Sequence, residues 1–588
     1  MGGGVSMPVT PPDFGPEYGT QLKAEDAPHF VTKITDKRPV VYAEKGCGSA
    51  EESPSTTLLQ MFRGIIDKGK GDLVALRQER PVPPLNADKT APPPLAPEQL
   101  TTWTYKQYFD QSMALGAGCI GAGFVRHDCV LIFGFNSPEW LFSAMAGICA
   151  GGPFTGIYPT DTPEQVTWKA KLTNASVAFV EDESAEEKIL SSIEDIPYLK
   201  AIVCWNHDCA SGRSSAKRTD GSEVKRLTME ELKDLGKGHE DSVQERLKND
   251  LPTDCCDLIF TSGTTGNPKA VMVSNDNVAF MGRSLIRPMT QYMDTSVSQR
   301  SLSYLPLSHI AGSLSDIFMP IVATYDFDEK AAGWELTFAR PYDLKAGSLK
   351  DRLLLTRPTV FMGVPRVWEK IHEKMLAIGA KVKGTKRKVA NWAKGKALKF
   401  AEEQQIGGSG KIPFGYPTAK KLILNKIKNA LGLDQVVMGL TGAAPMKLET
   451  LKYFGSIGIQ INEVYGMSET TGVCTLGTPS SHLWGSCGFP LPGVEVEIFQ
   501  VDPDDPNKKK KCPRTKNLFK PQPEEEGEIC FRGRNIMLGY MSNPALGEEH
   551  MKEIYDKNAA ALDNEGAQLE SFRAQTYWTA LLRRLFPA

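Results

Sequence analysis

Nine residues constrain this chain more than any others: Thr261-Ser262-Gly263-Thr264-Thr265-Gly266-Asn267-Pro268-Lys269. The runs on either side, Cys256-Asp257-Leu258-Ile259-Phe260 and Val271-Met272-Val273-Ser274, are short and mostly apolar and read as strands. The string between them must therefore be a tight connection. Its glycines let the backbone turn and approach a ligand closely. Its hydroxyls and successive N–H groups can donate to phosphate oxygens. Its lysine adds a mobile point charge. Together these predict a triphosphate-binding loop. It is not the Walker loop, which has Gly before the lysine and Ser or Thr after it; here Pro268 precedes Lys269 and Ala270 follows. A solvent-facing Ser/Thr/Gly turn is the competing reading of any shorter piece of the string.

The length, 588 residues, predicts about three or four units at roughly 150 residues each. A net charge of −2 gives no global pull toward nucleic acid or membrane. The 12 cysteines are scattered without a CxxC pair, which predicts reduced thiols in the cytosol or nucleus, with a cytoplasmic protein as the expectation, and no zinc site. No charged-then-apolar start marks a secretory signal. Met1-Gly2-Gly3-Gly4-Val5-Ser6 fits both an N-myristoylation pattern and an ordinary Gly-rich tail. The most apolar stretch, Trp140 to Tyr158, contains Gly147, Gly151, Gly152 and Pro153, so it predicts a buried helix and turn rather than a membrane span.

Residues 1–55 read as a loose arm, rich in Gly, Pro and charge. Val130 to Phe133, Ser176 to Val180, Ala201 to Cys204, Ser303 to Leu307 and Thr359 to Met362 read as strands, and Ser137 with Pro138 as a helix start. Strands alternating with helix-length segments predict a layered α/β fold. Residues 206–250 are polar and read as surface, as does Asp326 to Lys330. The lysine-dense stretch 381–428 carries interleaved Trp392, Phe400, Leu422 and Ile427, and reads as a solvated basic helix or as a face for an anionic membrane. Residues 502–526 read as a loop or hairpin tip.

Two further strings carry chemistry. Gly442-Ala443-Ala444 has no bulk, so a flat ring could lie against it. In Asn462-Glu463-Val464-Tyr465-Gly466-Met467-Ser468-Glu469, Tyr465 offers an aromatic face, Ser468 a hydroxyl and Glu469 a hard oxygen for Mg²⁺.

In this order the three strings resemble the adenylate-forming superfamily over about residues 100–545: acyl-CoA synthetases, luciferases and peptide-synthetase adenylation domains. Tyr304-Leu305-Pro306-Leu307-Ser308-His309-Ile310, Gly363-Val364-Pro365-Arg366-Val367-Trp368 and Tyr465-Gly466-Met467-Ser468-Glu469-Thr470-Thr471-Gly472 look most like long-chain acyl-CoA synthetases of the bubblegum type. The resemblance implies a ligase that takes a long-chain fatty acid, ATP with Mg²⁺, and coenzyme A, in lipid metabolism. It implies that Thr261 to Lys269 hold the β- and γ-phosphates, that Ala443, Ala444 and Asn462 to Gly466 hold adenine, that Ser468 and Glu469 meet phosphate and Mg²⁺, and that His309 stands near the acyl carboxylate. It implies a multi-subdomain α/β N-terminal domain over 56–545 and peripheral contact with endoplasmic reticulum or other membranes, with no nucleic acid partner.

The chain departs mildly at Ala270 and Asn275, where the pattern has Gly and usually His, and more sharply after Gly539-Tyr540. The family's ribose Asp, hinge Arg and C-terminal Lys find no counterparts. The expectation is a divergent tail, 546–588, in place of the small C-terminal domain, and impaired turnover. A non-catalytic nucleotide- or acyl-binding protein, and an adenylate-former with another acyl acceptor, remain open on these residues.

Overall fold

The computed structural model describes residues 30–206, 209–261, 267–501, 509–513, 522–563 and 571–573. Its largest sheet grows outward from short, fully buried strands. Cys129–Phe133 is buried at all five positions and pairs in parallel with Phe154–Ile157 and Ala175–Val180. Apolar runs this short, covered on both faces, suit a parallel sheet between helices. Nine strands run edge to edge: Gly539–Tyr540, Lys269–Ser274, Cys255–Thr261, Phe154–Ile157, Cys129–Phe133, Ala175–Val180, Ala201–Cys204, Glu223–Thr228 and Ala216–Lys217. The interior steps are parallel and the outer ones antiparallel.

Ser137 caps the helix Pro138–Cys149 by accepting from Trp140 N–H at 3.2 Å, with Pro138 in the first turn. That helix is buried along almost its whole length, so the apolar stretch is core. No helix among the described residues is long and apolar enough to cross a membrane.

A second, five-stranded sheet orders Val360–Met362, Met438–Thr441, Ile461–Met467, Gly472–Leu476 and Phe489–Pro490. A third orders Gln299–Ser303, Trp334–Phe338, Val74–Gln78 and Thr101–Thr104. The expected strand at Ser303 to Leu307 instead ends at Ser303. Beyond it the chain bears Pro306, which has no N–H for a ladder, and Tyr304 turns its hydroxyl to Met362 O at 2.7 Å.

The polar stretch 206–250 is more ordered than its composition predicts. It holds two strands, Ala216–Lys217 and Glu223–Thr228, and the helices Met229–Leu235 and Glu240–Lys248, tied down by buried Val224, Leu232 and Val243. Within 381–428 the helix Gly384–Glu403 buries Ala393, Ala397 and Ala401, one small stripe at four-residue spacing, and leaves Lys386, Lys388 and Lys399 exposed, while Lys394 lies over the Tyr453 ring at 4.8 Å. The polar run near 502 has a hairpin at its start, Glu495–Val501 with Lys509–Lys511; 502–508 and 514–521 fall outside the described residues.

Packed elements cross both expected domain boundaries. Val31 N–H donates to Leu538 O at 2.9 Å. Arg38, 5% exposed, donates to Met537 O at 2.8 Å and Ile536 O at 3.2 Å. The part of the 1–55 arm from residue 30 onward therefore lies along the segment 536–542. Past residue 545, the helix Glu548–Ala561 buries Ile554 and Asn558 against the large sheet's edge. Cys204 and Cys209 stand side by side at the end of the strand Ala201–Cys204, and the other ten cysteines are free.

Candidate active site

Thr261 and Lys269 stand directly opposite each other in the antiparallel pair. The phosphate-type string thus closes a hairpin at the carboxyl end of Cys255–Thr261, the end at which open α/β sheets bind ligands. Ser262, Gly263, Thr264, Thr265 and Gly266 lie outside the described residues. Asn267 is exposed, and Pro268 O accepts from Trp168 Nε1 at 3.0 Å. Thr261 Oγ1 is buried without a partner among the described residues.

One tyrosine joins this hairpin to the acidic string. The Lys269 ammonium lies 4.2 Å from the Tyr540 ring centroid, a cation–π contact. The Tyr540 hydroxyl donates to Glu469 Oε1 at 2.8 Å. Asn558 fixes Tyr540 through both backbone groups, at 2.7 Å and 3.0 Å. Burial lowers the pKa of Lys269, opposed by the Glu469 charge. Burial drives the Tyr540 phenol far above its ordinary value, and the Glu469 charge adds to this, so Tyr540 stays a donor.

Glu469 sits in the single turn Ser468–Thr470. The turn is closed by Thr471 at φ 54° and Gly472 at φ 103°; glycine takes the second without penalty. Met537 N–H donates to Glu469 O at 2.9 Å, and Thr471 Oγ1 to Asn535 O at 2.8 Å. The segment 535–540 therefore underlies the acidic turn. Ala443, at φ 66°, and Ala444 are exposed, while Gly442 is buried where a Cβ would stand 2.7 Å from Val464 Cγ2. The result is an open ledge.

Beside these groups lies a cavity of about 340 Å³, within the range of ligand sites. Thr261, Ala443, Val464, Gly466, Met467, Ser468, Glu469 and His309 all contribute to its wall. The wall continues through Leu285, Met289, Met319, Val360 and Trp334, and is apolar over most of its area. Trp334 Nε1 is satisfied by Ser301 Oγ at 2.9 Å. His309 Nδ1 accepts from Ala311 N–H at 3.1 Å, and burial lowers its pKa. The neutral ring so favoured carries its proton on Nε2.

Not every member of the sequence strings reaches the cavity. Asn462 Nδ2 donates to Gly439 O at 3.2 Å and ties neighbouring strands. Glu463 accepts from Gly485 N–H at 2.6 Å, and burial pushes its carboxyl up to about 7. The Tyr465 ring stacks on Phe531 at 5.5 Å. These three, with Asn267, Pro268, Lys269, Gly442 and Ala444, are absent from the wall among the described residues. Sequence reasoning missed Tyr540, Asn535, Phe531 and Asn558. The one local signal is Gly539, at φ 143°, where a Cβ would stand 2.3 Å from Val31 O.

The residues present fit a divalent cation brought by nucleotide phosphates better than a resident metal. No group of three or more His, Cys, Asp or Glu could hold a metal among the described residues. Magnesium on phosphates typically needs one or two carboxylates with water, and Glu469 stands beside Ser468 and the orphaned Thr261 hydroxyl on one wall.

A family model described as AMP-binding enzyme matches residues 85–541. Long-chain-fatty-acid–CoA ligase ACSBG2 of Xenopus laevis is 35% identical over 517 residues, which is 87% of this chain and 60% of that protein. Long-chain-fatty-acid–CoA ligase ACSBG1 of Homo sapiens is 34% identical over 516 residues, 87% of this chain and 61% of that protein. The chain spans about 60% of the length of such curated relatives. Among solved structures, the adenylation domain of the carboxylate reductase GR01_22995 from Mycobacterium chelonae superposes with a TM-score of 0.59 at 17% identity, over 89% of this chain and 69% of that one. Apo MatB from Rhodopseudomonas palustris gives 0.54 at 16%, over 88% and 75%. These two share the fold.

Proposed function

The chain belongs to the AMP-binding enzyme family, and from that membership we propose that it activates long-chain fatty acids with ATP and passes them to coenzyme A. A carboxylate oxygen of the fatty acid attacks the α-phosphorus of ATP; the bond to the bridging oxygen breaks, and pyrophosphate leaves. The thiol sulfur of coenzyme A then attacks the acyl carbon; the bond to the AMP oxygen breaks, and the thiol proton is lost. The demand on the protein is to position and neutralise phosphoryl charge.

The observation that carries this reading is the shared wall. Thr261, Ser468 and Glu469 meet the same cavity as Leu285, Met289 and Trp334. A carboxylate at the polar part would leave its chain in the apolar part. In the proposed roles, the string Thr261 to Lys269 and Ser468 meet phosphate oxygens, and Ala443 with Ala444 and the strand Asn462 to Gly466 meet adenine. Glu469 would hold Mg²⁺, which supplies charge neutralisation on the phosphates. His309, neutral, donates from Nε2 to the acyl carboxylate. Pyrophosphate exchange into ATP tests the reading: it should depend on a long-chain fatty acid. Exchange with no dependence on fatty acid, or none at all with ATP bound, contradicts it.

The proposed setting is cytoplasmic, on the surface of endoplasmic reticulum or another membrane. Phe414 is 96% exposed and Ile412 64%, on a loop between lysine-bearing helices, with Leu422 at 51% and Trp392 at 40%. Lys388, Lys399, Lys411, Lys420 and Lys421 are exposed around them. Apolar tips ringed by lysine match an anionic headgroup layer. Binding to anionic vesicles should be weak, fall with salt because the Debye length is about 8 Å at physiological strength, and fall again in Phe414→Ala. Salt-independent binding contradicts this surface.

A further inference from the structure

The cavity has a mouth and a floor, and strand direction tells them apart. Thr261 ends the strand Cys255–Thr261, Ala443 follows Met438–Thr441 and His309 follows Gln299–Ser303, so the polar mouth gathers at carboxyl ends. Trp334 and Val360 line the same cavity and are the first residues of their strands. Trp334–Phe338 is parallel to Gln299–Ser303, with Trp334 opposite Gln299. Val360–Met362 is parallel to Met438–Thr441. Thr359 N–H donates to Arg300 O at 2.9 Å and the Tyr304 hydroxyl to Met362 O at 2.7 Å, so the two pairs lie side by side and point the same way. Gln299 to Ser303 covers about 13 Å of extended chain. The Trp334 backbone stands that far below the strand ends that carry the mouth.

Trp334 is fixed as well as deep. Its Nε1 donates to Ser301 Oγ at 2.9 Å, its backbone N–H donates to Thr324 Oγ1 at 3.1 Å, and its carbonyl accepts from the Tyr105 hydroxyl at 2.7 Å. Trp334 and Tyr105 are each 1% exposed, so packed core lies behind the floor. Trp334 is the one Phe, Tyr or Trp among the described residues of the wall. Met289 and Met319 on the same wall are unbranched and can repack around a chain. The tethered indole can move only by giving up its bond to buried Ser301.

We propose that Trp334 is a specificity-determining residue, the floor that sets the longest alkyl chain the cavity accepts. The proposal rests on the acyl-activation reading of this cavity and narrows its substrate class by length. Each methylene that enters the apolar wall adds about fourfold in affinity. Once the chain end meets the ring, a further methylene overpacks it, and affinity falls about 10–100-fold.

The test is calorimetric binding of a length series of saturated, unbranched fatty acids to the full chain. In wild type, affinity should climb with length and then break at one acid. Trp334→Leu should move the break to a longer acid, so that the first acid rejected by wild type binds about 10–100-fold tighter to the variant. Ser301→Ala removes only the tether and should soften the break at the same position. If Trp334→Leu fails to fold, Trp334→Phe takes its place, with a smaller shift in the same direction. A tryptophan that serves the fold alone would lower the affinity of every acid alike and leave the break where it was; that result overturns the proposal, as does a wild-type series with no break. Absence of binding by every fatty acid overturns the acyl reading itself.

Discussion

The polar rim and the apolar cavity share a wall and are held in opposite ways. At the rim, Glu469 and Lys269 have directional partners from far along the chain. Glu469 is gripped by Met537 N–H and the Tyr540 hydroxyl, and Lys269 lies over the Tyr540 ring. In the cavity, Leu285, Met289, Met319 and Trp334 come from two helices and a strand of another sheet and meet by packing. Charge needs oriented partners; a chain needs volume and dryness. The rim should therefore fail when one atom is removed, and the cavity when one ring is added.

The largest expected effect is at the rim. Lys269→Ala should slow fatty-acid-dependent pyrophosphate exchange by about 10²–10³, the usual result of losing one preorganised charge, with fatty-acid affinity unchanged. An equal loss of fatty-acid affinity would erase the distinction between the two regions.

Next comes the strand that serves both. Burial raises the Glu463 carboxyl from 4.5 to about 7, so the folded state favours its neutral form. Stability is fully present below the unfolded value of 4.5 and lost as pH rises through about 7. That interval corresponds to about 3 kcal/mol. Glu463→Gln should flatten this fall in denaturation curves taken from pH 4 to pH 8, an interval of about 4 units. Parallel wild-type and variant profiles would show that the strand is not strained by this charge.

In the cavity, Leu285→Trp should weaken long-chain binding about 10–100-fold, the range of a 1–3 kcal/mol overpacking penalty, and leave ATP affinity alone. Weaker ATP binding would mean that the two regions are one packing unit. The smallest effect is the subtlest atom. Tyr540→Phe keeps the ring under Lys269 and deletes only the bond to Glu469. MgATP affinity should fall about tenfold, as for other groups that orient a metal-binding carboxylate. No change would make the tyrosine a packing residue only.

The rim was legible in the sequence because phosphate chemistry needs contiguous strings: a hairpin of glycines and hydroxyls ending in Lys269, and a strand running into Ser468-Glu469. Short buried strands such as the one read at Val130 to Phe133 were legible too, since a short apolar run between polar Asp128 and Gly134 suits a covered strand. Tyr540 was not legible. Its role depends on an antiparallel contact with Val271 and on Asn558, neither of which leaves a local pattern. The cavity was illegible for the same reason: Met289 and Trp334 look like any core residues until the fold brings them together. Asn462, Glu463 and Tyr465 belong to a recognisable string, and the string does not reveal that their side chains also tie strands and a neighbouring aromatic. From residue 30 onward the loose-arm reading failed on composition, because Arg38 and Val31 are anchored by backbone groups that composition does not reveal.

The central claim is that one ligand spans rim and cavity. A structure of the protein with a non-hydrolysable long-chain acyl-sulfamoyl adenosine tests it most directly. The account predicts adenine against Ala443 and Ala444, the sulfamoyl group between Thr261 and Ser468, and the alkyl chain running past Met319 toward Met289 and Trp334. An adenylate at the rim with its chain directed away from the cavity, to solvent or to another groove, would contradict it.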